Sequence, residues 1–289
     1  LIVAGPGTGK TSLVSLYLSK HPELGHAYLA LSSAMADPEV FLARLAEEIL
    51  PMTSPEMREG VKGLAQTGDV SERISGILAV ACKDKPCALI LDKFDQIENT
   101  TSASELAKAI SRFIPANMRL FIICRALPSL RYGALMQDMG VVGNAAFRLK
   151  DEEISQLLAN SLTGEHPTEA LVKQVKEFTG GWLTATRFYG QLLATLESQD
   201  LVEEQLGGLL GEYFEREVMS QLPQDLCDFL YESSTLSRVT QGMVSDALKL
   251  PRASAMMAEV RRRNLFINVL PDGERGSFAY ASLFLEFLR

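Results

Sequence analysis

The segment Ala4-Gly5-Pro6-Gly7-Thr8-Gly9-Lys10-Thr11 decides the fold. It follows an apolar run at residues 1–4 and precedes a helical pattern at residues 12–18, which predicts a loop between a strand and a helix. In such a loop, glycines let backbone N–H groups converge on phosphate oxygens, and the helix N-terminus adds its dipole. We therefore predict that residues 5–11 bind a nucleoside triphosphate, with Lys10 on the β- and γ-phosphates and Thr11 on Mg²⁺. The residues of this predicted site are Gly5, Pro6, Gly7, Thr8, Gly9, Lys10 and Thr11.

A second acidic motif supports the metal site. The continuous apolar residues 88–91 predict a buried strand that ends at Asp92, a carboxylate expected beside the phosphate loop and on Mg²⁺ through water. Many P-loop ATPases have a second acid at the next position, where this chain has Lys93, and Asp95 is the candidate substitute. The run 92–95 also mimics the Asn-Lys-x-Asp signature that reads guanine. Its first residue is Asp, however, and no Asp-x-x-Gly precedes it, so we favour ATP.

A third strand end completes the predicted site. Residues 120–124 are apolar and are followed by Arg125. An arginine at this place can reach the γ-phosphate and report its presence, so we predict that Arg125 is a phosphate sensor. Asp92, Asp95 and Arg125 are the candidate catalytic residues, and Thr11 and Asp92 are the candidate metal ligands.

The order of patterns predicts three domains. Apolar runs at 1–4, 27–31, 88–91 and 120–124 alternate with helical spacing, which indicates a parallel sheet with helices on both faces. From Asp151 onward the sequence shows helical spacing instead of strand patterns. Gly207-Gly208 is expected to interrupt the helices, and a hairpin is expected within 265–280. We predict an α/β P-loop NTPase domain at 1–150, an all-α helical arm at 151–206 and a winged-helix domain at 207–289.

The composition of the chain disfavours several classes of function. The 289 residues carry a formal net charge of −8, which disfavours non-specific nucleic-acid binding, and we interpret Arg261-Arg262-Arg263 as a solvated helix face. Four scattered cysteines and three histidines disfavour a zinc site and indicate reduced thiols in a cytoplasmic protein. No apolar run approaches the roughly 20 residues of a membrane span. The chain begins with Leu1 inside a predicted strand, so we expect it to be part of a larger protein.

Several motifs in series resemble the MalT-like branch of the STAND signalling ATPases, the large LuxR-type regulators. The family's loop reads Ala-Pro-Ala-Gly-Tyr-Gly-Lys-Thr, so Ala4 follows a family habit. Its second strand reads Trp-Leu-x-Leu, its arm carries Gly-Trp, its winged helix contains Asn-Leu-Phe, and its end reads Tyr-His-x-Leu-Phe-x-x-Phe-Leu. The matching residues are 28–31, Gly181-Trp182, 264–266, Tyr280, Leu283-Phe284 and Phe287-Leu288.

The resemblance implies a nucleotide-driven switch. ADP would keep the modules closed, whereas ATP with an inducer would open them and permit self-association, with slow hydrolysis as a reset. It implies that Gly181 and Trp182 approach the adenine, although Trp182 as a plain core anchor stays an alternative. The inducer-binding repeats and the DNA-binding helix-turn-helix of the family would follow this chain. Ala281 stands where the family has a histidine that holds ADP, and Tyr280, Ser282 or Arg275 could replace that donor.

Two other functions remain open at this point. A P-loop kinase acting on a small metabolite would need an acceptor pocket with a catalytic base, which the sequence does not reveal. An AAA+-like ATPase with a DNA-binding winged helix is disfavoured by the net acidity and by the lack of a convincing second sensor arginine.

Overall fold

A computed structural model describes residues 1–66, 68–83, 85–129, 132–133, 139–162, 166–196, 198–248, 252–270 and 276–289. They divide into two compact units, which are described separately. The first unit contains Leu1–Ala4 and Lys10–Gly143, and the second contains Gly5–Gly9 and Asn144–Arg289.

The first unit is built on a parallel sheet. Its strands are β1 (Ile2–Val3), β2 (Gly25–Ala30), β3 (Cys87–Asp92) and β4 (Met118–Cys124), in the order β1-β4-β3-β2. β3 is buried along its whole length, as its continuous apolar run predicted. The described helices of this unit are α1 (Lys10–Lys20), α2 (Pro38–Ile49), α3 (Pro55–Leu64), α4 (Val70–Ala81) and α5 (Thr101–Arg112). The predicted α/β sheet is confirmed.

Helix α2 illustrates how the sequence fixes these elements. Asp37 caps its N-terminus by accepting a hydrogen bond of 2.8 Å from the Glu39 backbone N–H, and Pro38 occupies the first turn, where no N–H is needed. The buried residues recur at helical spacing and pack into the core of the unit; they are Phe41, Leu42, Leu45, Ala46 and Ile49.

The cysteines depart from expectation. Cys82 at the end of α4 and Cys87 at the start of β3 are joined by a disulfide, with their Cα atoms 5.7 Å apart. The expectation of reduced thiols is therefore wrong for this pair, because the end of α4 and the start of β3 lie close enough for a disulfide. Cys124 and Cys227 are buried free thiols.

The second unit is mainly helical and ends in a hairpin. Strands β5 (Ile267–Val269) and β6 (Phe278–Tyr280) are antiparallel, which confirms the predicted hairpin, although its turn, 271–275, lies outside the described residues. The helices described here are α6 (Asp151–Ser161), α7 (Glu169–Thr179), α8 (Leu183–Leu193), α9 (Gln199–Glu217), α10 (Gln224–Ser233), α11 (Ala253–Arg262) and α12 (Ser282–Leu288). A π-helical turn, Met243–Ala247, precedes α11.

Helix α9 contradicts one expectation. Gly207 and Gly208 lie inside it rather than breaking the helical rhythm. Each glycine costs about 1 kcal/mol in a helix interior, but both face solvent. The opposite face is buried in the core at a spacing of four residues and outweighs that cost; its residues are Val202, Leu206, Leu210 and Phe214. The predicted division at 206/207 therefore falls within α9, and the domain bounds stay a proposal.

No helix within the described ranges has the length and apolar character that a membrane crossing requires.

Candidate functional site

In the first unit, strand register places the predicted acidic residue on a defined face of the sheet. β2 and β3 pair with Tyr28 opposite Ile90 and Ala30 opposite Asp92. Side chains alternate along a strand, so Tyr28 and Asp92 share one face. Phe121 of β4, which pairs with Ile90, lies on this face too, and its ring is 5.3 Å from that of Tyr17 in α1. The face that carries Asp92 is therefore the one that α1 covers.

The Asp92 carboxylate is held by several donors. Its Oδ2 accepts hydrogen bonds from the Thr11 hydroxyl, at 2.8 Å, and from the Tyr28 hydroxyl. Its Oδ1 accepts from the Lys93 backbone N–H at 2.8 Å. Asp92 is only 6% exposed, so these donors compensate for most of its lost hydration. The two predicted metal ligands, Thr11 and Asp92, are thus in direct contact.

Lys10 is largely buried, with charges of both signs nearby. Its ammonium group donates a hydrogen bond of 2.8 Å to the Ala4 carbonyl at the end of β1. Burial and, to a smaller extent, the positive charge of Arg125 lower the pKa of Lys10 to about 8, against the opposing effects of Asp95 and Asp92. The predicted phosphate-binding lysine and the predicted sensor arginine are therefore electrostatic neighbours. A negatively charged ligand would relieve their repulsion.

Asp95 and Lys93 have different surroundings. Asp95 accepts a hydrogen bond of 2.9 Å from the Arg125 backbone N–H, so its carboxylate lies at the carboxyl end of β4. Lys93 adopts a left-handed backbone conformation, with φ of 60°, and its side chain is exposed. The position that follows Asp92 therefore carries an exposed cation instead of an acid, while Asp95 is the nearby carboxylate.

The glycine-rich loop belongs to the second unit. Gly7 and Gly9 have φ values of 65° and 90°, a region that favours glycine. A Cβ on Gly7 would lie 2.5 Å from the Thr184 hydroxyl, and a Cβ on Gly9 would lie 2.6 Å from the Leu183 side chain. The sequence thus provides glycine where both the backbone conformation and the close approach of α8 require it.

Side chains from the rest of the second unit form hydrogen bonds with the backbone of this loop. The Trp182 indole N–H donates to the Pro6 carbonyl at 3.1 Å, and the Thr184 hydroxyl donates to the Gly7 carbonyl at 2.8 Å. The Gly5 N–H donates to the Asn144 side-chain oxygen at 3.2 Å. Within the loop, the Thr8 hydroxyl donates to the Gly5 carbonyl at 3.0 Å.

A cavity of about 260 Å³ adjoins the loop within the second unit. Gly5 and Thr8 form part of its wall, and Gly181, Trp182 and Ala281 form another part. Trp182 stacks on Phe214, with ring centroids 5.5 Å apart, and meets Phe266 edge to face. Trp182 thus anchors an aromatic cluster and also lines the cavity, and its approach to the adenine stays a prediction.

The replacement donors for the family's histidine can be compared. The Tyr280 hydroxyl forms a buried hydrogen bond of 2.7 Å with Ser233, and Arg275 lies outside the described residues. Ser282 is exposed and lines the cavity next to Ala281. Which of these residues replaces the histidine stays a prediction.

The contact between Thr11 and Asp92 fits a magnesium site. A hydroxyl that coordinates Mg²⁺ through a lone pair needs an acceptor for its proton, and Asp92 Oδ2 is that acceptor for Thr11. When bound, Mg²⁺ would supply charge that stabilises phosphate oxygens.

The sequence analysis did not predict the contacts of Tyr28, Thr184 and Asn144. The alternation of side chains along β2 and β3 could have placed Tyr28 on the same face as Asp92, but only if the register of the two strands were known.

Comparisons with known proteins relate two parts of the chain to known families. The AAA family, ATPases associated with various cellular activities, matches residues 1–128, and the MalT winged helix domain matches residues 215–289. The chain is 24% identical to the HTH-type transcriptional regulator MalT of Cronobacter sakazakii, over 100% of this chain and 33% of that protein. The MalT of Yersinia pestis (strain Pestoides F) shows the same identity and coverage. The chain thus spans about one third of the length of these relatives.

Among solved structures, the Walker-type ATPase of Pyrococcus abyssi aligns with a TM-score of 0.67 at 11% identity, covering 99% of this chain and 89% of that chain. This likeness shows a shared fold. The resemblance drawn from the motifs is confirmed, because the AAA family and the MalT winged helix domain match successive parts of a chain that is similar to part of MalT along the whole of its own 289 residues.

Proposed function

We propose that this chain is the nucleotide-controlled switch of a MalT-like transcriptional regulator, and that it binds ATP or ADP with Mg²⁺. The observation that carries this proposal is the contact of Thr11 with Asp92 on the sheet face that α1 covers. Residues 5–11 would bind the phosphates, with Lys10 and Arg125 neutralising their charge. Thr11 and Asp92 would hold Mg²⁺, directly and through water respectively.

The cavity of the second unit supports a place for the base. Trp182, Phe266 and Phe284 give it aromatic walls, which suit a flat purine, and Gly181 is adjacent. A Cβ on Gly181 would lie 2.9 Å from the Leu149 carbonyl, so the glycine allows the backbone to pack closely there. Trp182 would then respond both to the loop and to the bound base.

Hydrolysis would be slow and would reset the switch. Lys93 cannot orient an attacking water as a second carboxylate does, and Asp95 is engaged by the Arg125 N–H. We expect turnover well below the roughly 1–100 s⁻¹ of kinases. The ATP state would permit self-association in the cytoplasm. An inducer and target DNA would bind segments of the longer protein that lie outside this chain.

The test of nucleotide binding is Lys10→Ala, studied by calorimetry with ATP and ADP. Loss of a charge-assisted contact of about 1.5–3 kcal/mol should weaken binding roughly 10- to 100-fold. Lys20→Ala, at the exposed end of the same helix, is the matched control and should bind normally. Unchanged binding in Lys10→Ala would refute the proposal.

Self-association is tested separately by light scattering of the wild type with ATP and with ADP. A larger particle with ATP is expected, and equal sizes would contradict the switch while leaving nucleotide binding intact.

A DNA-binding winged helix has weaker support. In α11, Glu259 accepts hydrogen bonds from Arg262 at 2.8 Å and from Arg263 at 2.5 Å, and these donors hold the pKa of Glu259 at about 2. Arg262 and Arg263 are thus paired with Glu259, an acid three and four residues before them. A salt titration of DNA affinity on this chain would detect such binding as a steep fall in affinity with salt.

A further inference from the structure

Tyr28 contacts the predicted metal site from the edge strand of the sheet. Its hydroxyl donates a hydrogen bond to Asp92 Oδ2, the same oxygen that accepts the Thr11 hydroxyl. The register of β2 on β3 explains the contact, because Tyr28 lies two residues before Ala30, the partner of Asp92, on the same face. The donors to this carboxylate therefore come from three elements: α1, β2 and the turn that follows β3.

We propose that Tyr28 is a positioning residue of the magnesium site. Its hydroxyl fixes the Asp92 carboxylate so that Oδ2 accepts the Thr11 proton and the Thr11 oxygen keeps a lone pair for Mg²⁺. This inference rests on the proposed nucleotide binding.

The chemistry of a carboxylate explains why a third donor matters. An ionised aspartate offers about four acceptor sites, and the torsion that orients its carboxyl group is soft. Donors on one oxygen alone would allow that group to swing. Tyr28 and Thr11 on Oδ2, with the Lys93 N–H on Oδ1, occupy three of those sites and fix the plane, which leaves acceptor capacity on Oδ1 for a metal-bound water.

The motifs shared with the family do not predict the hydrogen bond between Tyr28 and Asp92. The family's second strand reads Trp-Leu-x-Leu, whereas this chain has tyrosine at the first of these positions. Since tryptophan has no hydroxyl, the hydrogen bond to Asp92 does not follow from family membership.

The test is Tyr28→Phe, which removes one oxygen and keeps the ring. ATP affinity is measured by calorimetry in EDTA and across a Mg²⁺ titration. Mg²⁺ is expected to raise the affinity for ATP, and the titration gives the Mg²⁺ concentration at half of this increase. We expect Tyr28→Phe to raise that concentration about three- to tenfold, which is the range for loss of one hydrogen bond. Affinity in EDTA should stay within about twofold, because the Tyr28 hydroxyl contacts the side chains of Asp92 and Thr11, the two proposed metal ligands.

Tyr17→Phe is the matched control, since Tyr17 faces the same side of the sheet but contacts the rings of His21 and Phe121. It should leave both measurements unchanged. The inference is overturned if Tyr28→Phe and wild type have the same Mg²⁺ dependence, or if the variant loses ATP binding in EDTA as well. If the wild type itself binds no ATP, the proposed function has failed instead.

Discussion

Raising the pH should weaken ATP binding through Lys10. Burial and the nearby Arg125 charge lower the pKa of this ammonium group to about 8. Phosphate oxygens beside Lys10 favour its charged form, so binding should return the pKa towards its ordinary value of about 10.4. ATP binding is therefore coupled to proton uptake between these two values, and affinity should fall as the pH rises through about 8.

The expected size follows from the fraction of protonated Lys10. With a pKa of about 8, roughly 90% of the free protein carries the proton at pH 7 and roughly 10% at pH 9. ATP affinity should thus fall about tenfold over this range, or about 1.4 kcal/mol. The buried thiol of Cys124 does not titrate in this window, because burial raises its pKa to about 12.

Calorimetry at saturating Mg²⁺, in buffers of different ionisation enthalpy, measures both the affinity and the proton uptake. We expect an uptake of about half a proton at pH 8. Lys10→Arg is the control, since an arginine stays charged and should show a flat profile. A wild-type affinity that is constant from pH 7 to pH 9, without proton uptake, would refute the proposed position of Lys10 at the phosphates.

Three further changes test other parts of the structure. Lys93→Asp should raise ATP turnover at least about tenfold by supplying a base, whereas Lys93→Asn should not; equal rates would assign the role to another residue. Ala281→His should tighten ADP binding by about 0.5–3 kcal/mol, and Ala281→Leu should not; no gain would remove the proposed latch position. Gly208→Ala, with open space around it, should raise the free energy of unfolding by about 0.5–1 kcal/mol in a urea melt, whereas Gly181→Ala should lower it; the reverse order would contradict the packing.

Sequence alone identified the parts of this protein whose signals are local. The loop at 5–11, the apolar run ending at Asp92 and the strand before Arg125 are each defined by neighbours in the chain. Continuous apolar runs between helical patterns were enough to predict the parallel sheet, since a strand covered on both faces has no polar side.

Local sequence patterns gave a wrong prediction where burial of one helix face outweighed the low helix propensity of glycine. Gly207 and Gly208 predicted a break, but the buried face of α9 continues on its other side. Cys82 and Cys87 matched no motif, and the placement of the end of α4 beside the start of β3 brings their sulfurs together.

The contacts around the loop and around Asp92 were decided by tertiary structure. Trp182 and Thr184 reach the carbonyls of Pro6 and Gly7 across 176 and 177 positions of the chain. Tyr28 reaches Asp92 across 64 positions, through the register of two strands. A sequence pattern predicts which face of an element is buried, but side chains so distant in the chain meet only when packing and register have fixed their elements.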